Sequence, residues 1–200
     1  DILTNSSFIK KGNVLDKLLE SVIISKIDID DLIVGDKNAL LIATRILGYG
    51  SQYEVEINGE KETIDLSQLE NKTFDESQIT QGLNEFQFDL PHTQTPITYK
   101  ILTGKDEKKL EKEIEGIKRI KKDSNPSLST RLKYIITSVN GDTERKAINE
   151  FVDGYLLAKD SKALRDHIKE TQPDVDLNVI IDSGQEVRIP IGLGFFWPDA

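Results

Sequence analysis

The chain has 200 residues, of which 37% are hydrophobic and 30% charged, a composition typical of a globular protein with one large core or two small ones. Its net charge of −9 would repel nucleic-acid phosphates and anionic lipid, so we expect protein partners and no nucleic acid. The absence of cysteine excludes disulfides, thiolate metal sites and cysteine nucleophiles, and no apolar run approaches the length of a membrane span. The polar start lacks the blocks of a signal peptide, so secretion by the usual route is not expected.

The N-terminal part of the chain contains two helical patterns followed by an alternating one. Apolar residues recur at helical spacing within residues 1–27, and a second helix is predicted to begin at Asp36, which stands where an N-cap would. Strict alternation then predicts a β-hairpin with Asn58-Gly59 as its turn. Residues 28–70 are therefore expected to form a helix followed by a hairpin.

A central hairpin and helices are predicted in residues 84–141. Apolar and polar residues alternate on both sides of a proline-containing turn, which predicts the hairpin. Thr103 and Asp106 form a capping box ahead of a helix rich in lysine and glutamate, which stops before Pro126. A compact apolar stripe and another amphipathic helix follow.

The last segment, residues 142–200, repeats the first helix and hairpin at a constant offset. Asp160 falls on Asp36 (160 − 36 = 124), and we interpret both as helix N-caps. The turn containing Ser183-Gly184 falls on the turn of the first hairpin. The alternative, a coincidental match of apolar positions, is disfavoured by the gap-free register. We predict an α+β fold of internally duplicated helix plus β-hairpin units, with a central hairpin and helices between them, in one compact protein.

The residues that commonly carry chemistry form no recognisable catalytic or metal site. His92 and His167 are the only histidines; they are too few for a zinc site and lie in no zinc-binding motif. The acidic cluster that begins at Asp28 fails the calcium-loop pattern, because Leu32 occupies the fifth position, where an oxygen ligand is needed. The sequence therefore predicts a protein that is not an enzyme and uses no cofactor.

The C-terminus carries an unusual aromatic cluster, which contains the only tryptophan of the chain: Phe195, Phe196, Trp197 and Pro198. Aromatic anchors are enriched in the desolvated centres of protein interfaces, so one hypothesis is a partner-binding role. The alternative is that a terminal strand packs these side chains into the chain's own core.

Five blocks spread over most of the chain occur in a recognisable order: residues 31–40, 45–50, 90–91, 102–107 and 195–199. In combination they resemble the baseplate hub assembly proteins of T4-like tailed phages. The resemblance implies a late viral protein of the contractile tail, acting as a chaperone or scaffold in the virion baseplate or the host cytoplasm. Its partners would be hub or tape-measure proteins, bound through hairpin edges and the aromatic terminus.

The sequence departs from this family in one respect and leaves several functions open. Some relatives carry paired cysteines near the hairpin tips, whereas residues 58–61 and 182–185 contain none, so we predict no zinc. A permanent structural subunit of the hub is the first alternative. A tail-associated hydrolase that uses two carboxylates and a host cytosolic adaptor are less favoured, since the helical carboxylates alternate with lysine as solvated faces do.

Overall fold

The computed structural model describes residues 2–3, 5, 13–57, 60–72, 82–120, 126–181 and 184–196. The chain divides into two compact units: unit 1 comprises Asp1–Lys72 and Pro173–Ala200, and unit 2 comprises Thr73–Gln172. Each unit has its own hydrophobic core, formed by helices and antiparallel strands. The predicted α+β class is therefore confirmed.

In the part of the chain that the structure describes, the helices are α1 (Val14–Val22), α2 (Val34–Tyr49), α3 (Gly104–Ile120), α4 (Ser127–Ile135), α5 (Arg145–Gly154), α6 (Ala158–Thr171) and α7 (Leu193–Phe196). The strands are β1 (Gln52–Ile57), β2 (Glu60–Asp65), β3 (Phe86–Asp89), β4 (Pro96–Tyr99), β5 (Ile136–Val139), β6 (Asn178–Ile180) and β7 (Glu186–Arg188). Short 3-10 turns lie at Ile29–Asp31 and Leu66–Gln68. All three predicted hairpins are confirmed, and the C-terminal segment forms the helical turn α7, where the core-packing alternative supposed a strand.

Unit 1 is built from α1, α2, α7 and two separate hairpins, β1–β2 and β6–β7. The hairpins turn their apolar faces to the core: Tyr53 and Ile64, which pair across the first hairpin, are both buried. Leu19 of α1 is completely buried in the same cluster. Burying one such side chain contributes about 1.5–3 kcal/mol, so this shared core stabilises the arrangement of both hairpins.

The chain that leads into β6 is held against the first turns of α2. A Cβ atom at Gly35 would lie 2.1 Å from the Pro173 carbonyl oxygen, so the close approach requires glycine. The Asn38 side-chain amide donates to Asp174 Oδ1 at 3.0 Å, and Lys72 Nζ lies 3.7 Å from Asp174 Oδ2. These contacts fix the start of the second hairpin beside the end of the first.

Unit 2 contains a three-stranded antiparallel sheet in the order β3-β4-β5, together with α3, α4, α5 and α6. Leu90, Leu110 and Leu164 are completely buried in its core. The predicted capping box is confirmed at the start of α3: the Asp106 carboxylate accepts from the Thr103 N–H at 3.2 Å, and Thr103 Oγ1 accepts from the Asp106 N–H at 3.4 Å. The helix therefore begins where the sequence predicts.

The apolar stripe after Pro126 divides into two elements that the sequence pattern did not separate. The chain passes from α4 directly into β5 without a loop. Residues 136–139 are mostly β-branched and pair with β4, an interaction that no local pattern reveals. Asn140 and Gly141 then take positive φ angles of 51° and 80°, which end the strand.

The repeated elements occur at the expected places, but they do not form two equivalent units. Helices α2 and α6 begin at Val34 and Ala158, so the offset is retained (158 − 34 = 124). The structure divides the predicted segment 142–200 after Gln172, because α6 contributes to the core of unit 2 while β6–β7 packs in unit 1.

The predicted capping role of Asp36 and Asp160 is corrected by the structure. The N-cap residues are Ile33 and Leu157, both in extended conformation, and neither makes a side-chain capping bond. Each aspartate lies instead in the first turn of its helix, where negative charge is favourable. Asp36 is exposed there, whereas Asp160 is buried.

Candidate protein-binding surface

The first hairpin of unit 1 presents one edge of β2 away from its partner strand. The Leu66 N–H donates to the Ser51 carbonyl at 2.8 Å, which fixes the alternation of hydrogen-bonded pairs along β1 and β2. This alternation directs the backbone N–H and C=O groups of Lys61, Thr63 and Asp65 away from β1. They form an edge suited to strand addition.

The second hairpin has a corresponding edge on β6. The Ile181 N–H donates to the Gln185 carbonyl at 3.0 Å, and the Ile189 N–H donates to the Leu177 carbonyl at 2.8 Å. Residues that alternate with Leu177 and Ile181 along β6, among them Ile180, therefore direct their backbone N–H and C=O groups away from β7. The Ile180 side chain is 78% exposed.

The two edges run beside each other and are joined at one end only. The Lys72 N–H donates to the Asp174 carbonyl at 2.9 Å, and the Asp176 N–H donates to the Glu70 carbonyl at 2.8 Å. Beyond this bridge the turn Leu66–Gln68 interrupts the extended chain, and no strand pairing joins β2 to β6 among the described residues. We call the space between residues 62–65 and 179–181 the seam.

The seam holds a cleft of about 220 Å³, lined by residues 62–65, 68–69 and 179–181. Ile64 and Ile181 are buried in its wall, and Leu69 and Val179 are half-buried. Among the described residues its lining includes two that are acidic, Glu62 and Asp65, and none that is basic. A cleft of this size and composition can take one large side chain from another protein.

Glu62 occupies an apolar position of the hairpin. It pairs with Val55, whereas Val179, which lies 124 residues after Val55, pairs with Val187 and not with Glu186, so the register of the repeat shifts by one residue in the second arm. A half-buried glutamate therefore stands where the other hairpin has valine. Among the described residues its carboxylate has no ion pair or hydrogen bond. Sequence reasoning missed Glu62, although its spacing of two from Ile64 places it on the buried face.

The side chain of Asp65 lies on the strand face of its pairing partner Gln52, opposite the face of Glu62 and Ile64. Its Oδ1 accepts hydrogen bonds from the Ser67 backbone N–H at 3.0 Å and from the Ser67 hydroxyl at 2.7 Å. These bonds from Ser67, with a smaller contribution from Ser51, lower the pKa of Asp65 below its ordinary range. The carboxylate is therefore ionised at neutral pH.

The aromatic C-terminus does not form an exposed contact surface at Phe195 and Phe196. Both side chains are 1% exposed, and the Phe195 ring packs edge-on against Tyr53, with centroids 5.0 Å apart. The buried Arg45 Nε donates to the Phe195 carbonyl at 2.9 Å. The partner-binding hypothesis is corrected for these two residues, because they complete the core of unit 1. Trp197 and Pro198 lie outside the described residues.

Of the four predicted turn residues, the structure describes one, Gly184. Gly184 has a φ of 79°, as a tight turn requires, while Asn58, Gly59 and Ser183 lie outside the described residues. The pairing of Ile57 with Glu60 nevertheless confirms a two-residue connection in the first hairpin.

Both histidines make contacts that belong to the fold of unit 2. His167 stacks on Phe88, with ring centroids 4.4 Å apart, and contacts Tyr99 edge-on at 5.7 Å. Burial lowers the pKa of His167, an effect that Glu170 opposes. His92 contributes its backbone N–H to Asp160 at 2.8 Å. Within the part of the chain that the structure describes, no group of three or more histidine, aspartate or glutamate side chains could hold a metal ion.

Comparison with known proteins gave no match to a protein-family model, a curated protein or a solved structure. None of the helices in the described ranges has both the length and the apolar character needed to cross a membrane. The function of the chain therefore has to be inferred from its own residues and geometry.

Proposed function

We propose that the chain is a non-enzymatic protein that binds other tail proteins while a phage baseplate hub is assembled. The observation that carries this proposal is the seam, where two strand edges of unit 1 lie side by side without pairing. Open strand edges are a common docking element, because a partner strand completes their hydrogen bonds. The exposed Ile180 adds an apolar contact beside these edges.

The baseplate assignment is supported by the sequence blocks that resemble the T4-like hub assembly proteins. Several of their residues determine the fold: Gly35 permits the approach of Pro173, Arg45 donates to Phe195, and Asp106 closes the capping box of α3. A shared set of fold-determining residues is the expected basis of such a resemblance. The resemblance therefore favours a common architecture more strongly than a common binding site.

The seam is poorly suited to the hydrolase alternative. A glycosidase needs one carboxylic acid whose pKa is raised so that it can donate a proton. The pKa of Asp65 is instead lowered by its hydrogen bonds from Ser67, so this carboxyl group is not such an acid. This feature favours binding over hydrolysis.

Disruption of the gene in the phage that encodes the chain tests the proposal. Electron microscopy of lysates is expected to show heads without complete tails, and a plasmid copy should restore tails. Tails in normal number without the protein would contradict the proposal and favour an unrelated adaptor role.

Counting copies of the chain in purified virions then separates the two baseplate roles. Abundance in the lysate with absence from virions supports a chaperone or scaffold, which is the role we propose. Several copies in each virion would instead indicate a permanent hub subunit.

A further inference from the structure

Unit 2 interrupts the chain of unit 1 at a single place. It consists of one continuous segment, whereas unit 1 consists of the chain before and after that segment. The residues on either side of the interruption pair with each other: Asn71 forms a β-bridge with Val175, and the Lys72 N–H donates to the Asp174 carbonyl at 2.9 Å. The chain therefore leaves unit 1 and returns to it in neighbouring extended segments. Neighbouring chain ends are what allow one domain to be inserted into another.

The two parts of unit 1 are fastened together by contacts within unit 1 itself. The Asp174 side chain, which is 6% exposed, accepts from the Asn38 amide at 3.0 Å and lies 3.7 Å from Lys72 Nζ. The absence of a side chain at Gly35 allows Pro173 to approach the start of α2. These contacts close the interruption, so unit 1 does not depend on unit 2 to join its two chain segments.

Each unit also has its own source of stability. The core of unit 1 consists of residues that precede residue 73 or follow residue 172, and the core of unit 2 consists of residues between 86 and 168. Burial of apolar surface is the dominant favourable term in folding, so neither core draws that term from the other unit. Unit 2 has 100 residues (172 − 72 = 100), which leaves the same number for unit 1, and both lie in the usual size range of domains.

We infer that unit 2 is an inserted module that folds and unfolds independently of unit 1, and that unit 1 keeps its two hairpins when unit 2 opens. The alternative is one cooperative structure, in which loss of either core unfolds both units. Independence allows unit 1 to hold a bound protein while unit 2 changes its conformation. The inference goes beyond the proposed binding function and does not depend on it.

Hydrogen exchange of the full chain, measured by mass spectrometry, tests the inference with one destabilising variant in each unit. Asp160→Ala removes the acceptor of the His92 and Thr93 N–H groups in unit 2. It should accelerate exchange of the most protected amides in α6 and β4 at least about 30-fold. Exchange in α2 and β1 of unit 1 should stay within about twofold of the unaltered chain, because independent sites do not share the loss.

Phe195→Ala is the reciprocal variant. It leaves a cavity in the core of unit 1 and should accelerate exchange in α2 and β1 at least about 100-fold, with α6 and β4 unchanged. Leu47→Ala and Ile120→Ala are the matched controls, since each removes an exposed side chain, the first from unit 1 and the second from unit 2. Neither control should change exchange in either unit.

Loss of protection throughout unit 2 in Asp160→Ala, with unit 1 still protected, would support the inference most strongly. Acceleration in both units by a similar factor, or unfolding of the whole chain in either variant, would overturn it. If Asp160→Ala exchanges like the unaltered chain, Leu110→Ala makes the same comparison, because it removes a completely buried side chain from unit 2. The purified chain is measured without any partner, so a failure here leaves the proposed assembly role to be decided by gene disruption.

Discussion

The carboxylate of Asp160 is completely buried in unit 2, where the backbone N–H groups of His92 and Thr93 donate to it at 2.8 and 3.1 Å. Burial alone would raise the pKa of Asp160, but the hydrogen bonds from His92 and Thr93 outweigh it and lower the pKa below 3.8. Asp160 thus attaches α6 to the turn of the central hairpin. Asp36, its counterpart in the repeat, is exposed.

Replacing the buried aspartate should therefore destabilise unit 2. Asp160→Ala removes the acceptor of the His92 and Thr93 N–H groups and leaves a cavity where a fully buried side chain stood, so we expect a loss of about 2–4 kcal/mol in the free energy of unfolding. The matched control Asp36→Ala should lose less than about 1 kcal/mol. Urea denaturation of both variants measures the difference, and equal losses would contradict the assigned role.

His167 makes the stability of unit 2 depend on pH. Its folded pKa lies below the ordinary value of 6.5, because burial between Phe88 and Tyr99 disfavours the charged ring. The unfolded chain therefore binds a proton more readily than the folded one. Stability is fully present above about pH 6.5 and is lost as the pH falls through the folded pKa.

The expected result is a lower urea midpoint at pH 5.5 than at pH 7.5, with a smaller difference in His167→Phe. The His92→Gln control keeps the backbone hydrogen bond to Asp160 and loses only a minor charge interaction with it, so it should retain most of the difference between the two pH values. An identical pH dependence in all three proteins would show that His167 is not responsible.

At the scale of elements, α7 closes the core of unit 1. Its two phenylalanines are buried, and its carbonyl at Phe195 accepts from Arg45 in α2. A short terminal helix with such contacts stabilises the unit, although an isolated turn of this length would not form in water. Residues 195–196 therefore belong to the fold of the chain.

Phe195→Ala should accordingly lower the free energy of unfolding by about 3–5 kcal/mol, because it leaves a cavity in the core. Leu47→Ala provides a control in the same unit, since the Leu47 side chain is 88% exposed. Thermal and urea unfolding of the two variants make the comparison. Unchanged stability in Phe195→Ala would instead support the hypothesis that the aromatic cluster binds a partner.

The elements differ in how far the sequence specifies them. The hairpins and the capping box of α3 follow from alternation and from residues three apart, so local patterns predict them. Strand β5 depends on pairing with β4, and the assignment of α6 to unit 2 depends on the buried bonds of Asp160. Such long-range interactions leave no local signal.

At the scale of the whole molecule, both repeated hairpins belong to unit 1, and the edges of β2 and β6 lie beside each other without strand pairing. The seam could not be predicted, because it depends on residues 62–65 and 179–181, which are far apart in the chain. Glu62 could have been noticed as a charge on an apolar strand face, but only the pairing of Val179 with Val187 shows what it replaces. The candidate site therefore emerges from the association of the repeated hairpins.

The most direct test of the account is photo-crosslinking in infected cells, with p-benzoylphenylalanine placed at Ile180 beside the seam or at Leu47 outside it. Both side chains are highly exposed and belong to unit 1, so the two positions differ mainly in their relation to the seam. We expect the probe at Ile180 to crosslink to hub or tape-measure proteins of the phage and the probe at Leu47 to do so weakly. The same crosslinks at both positions, or crosslinks to host proteins alone, would contradict this expectation.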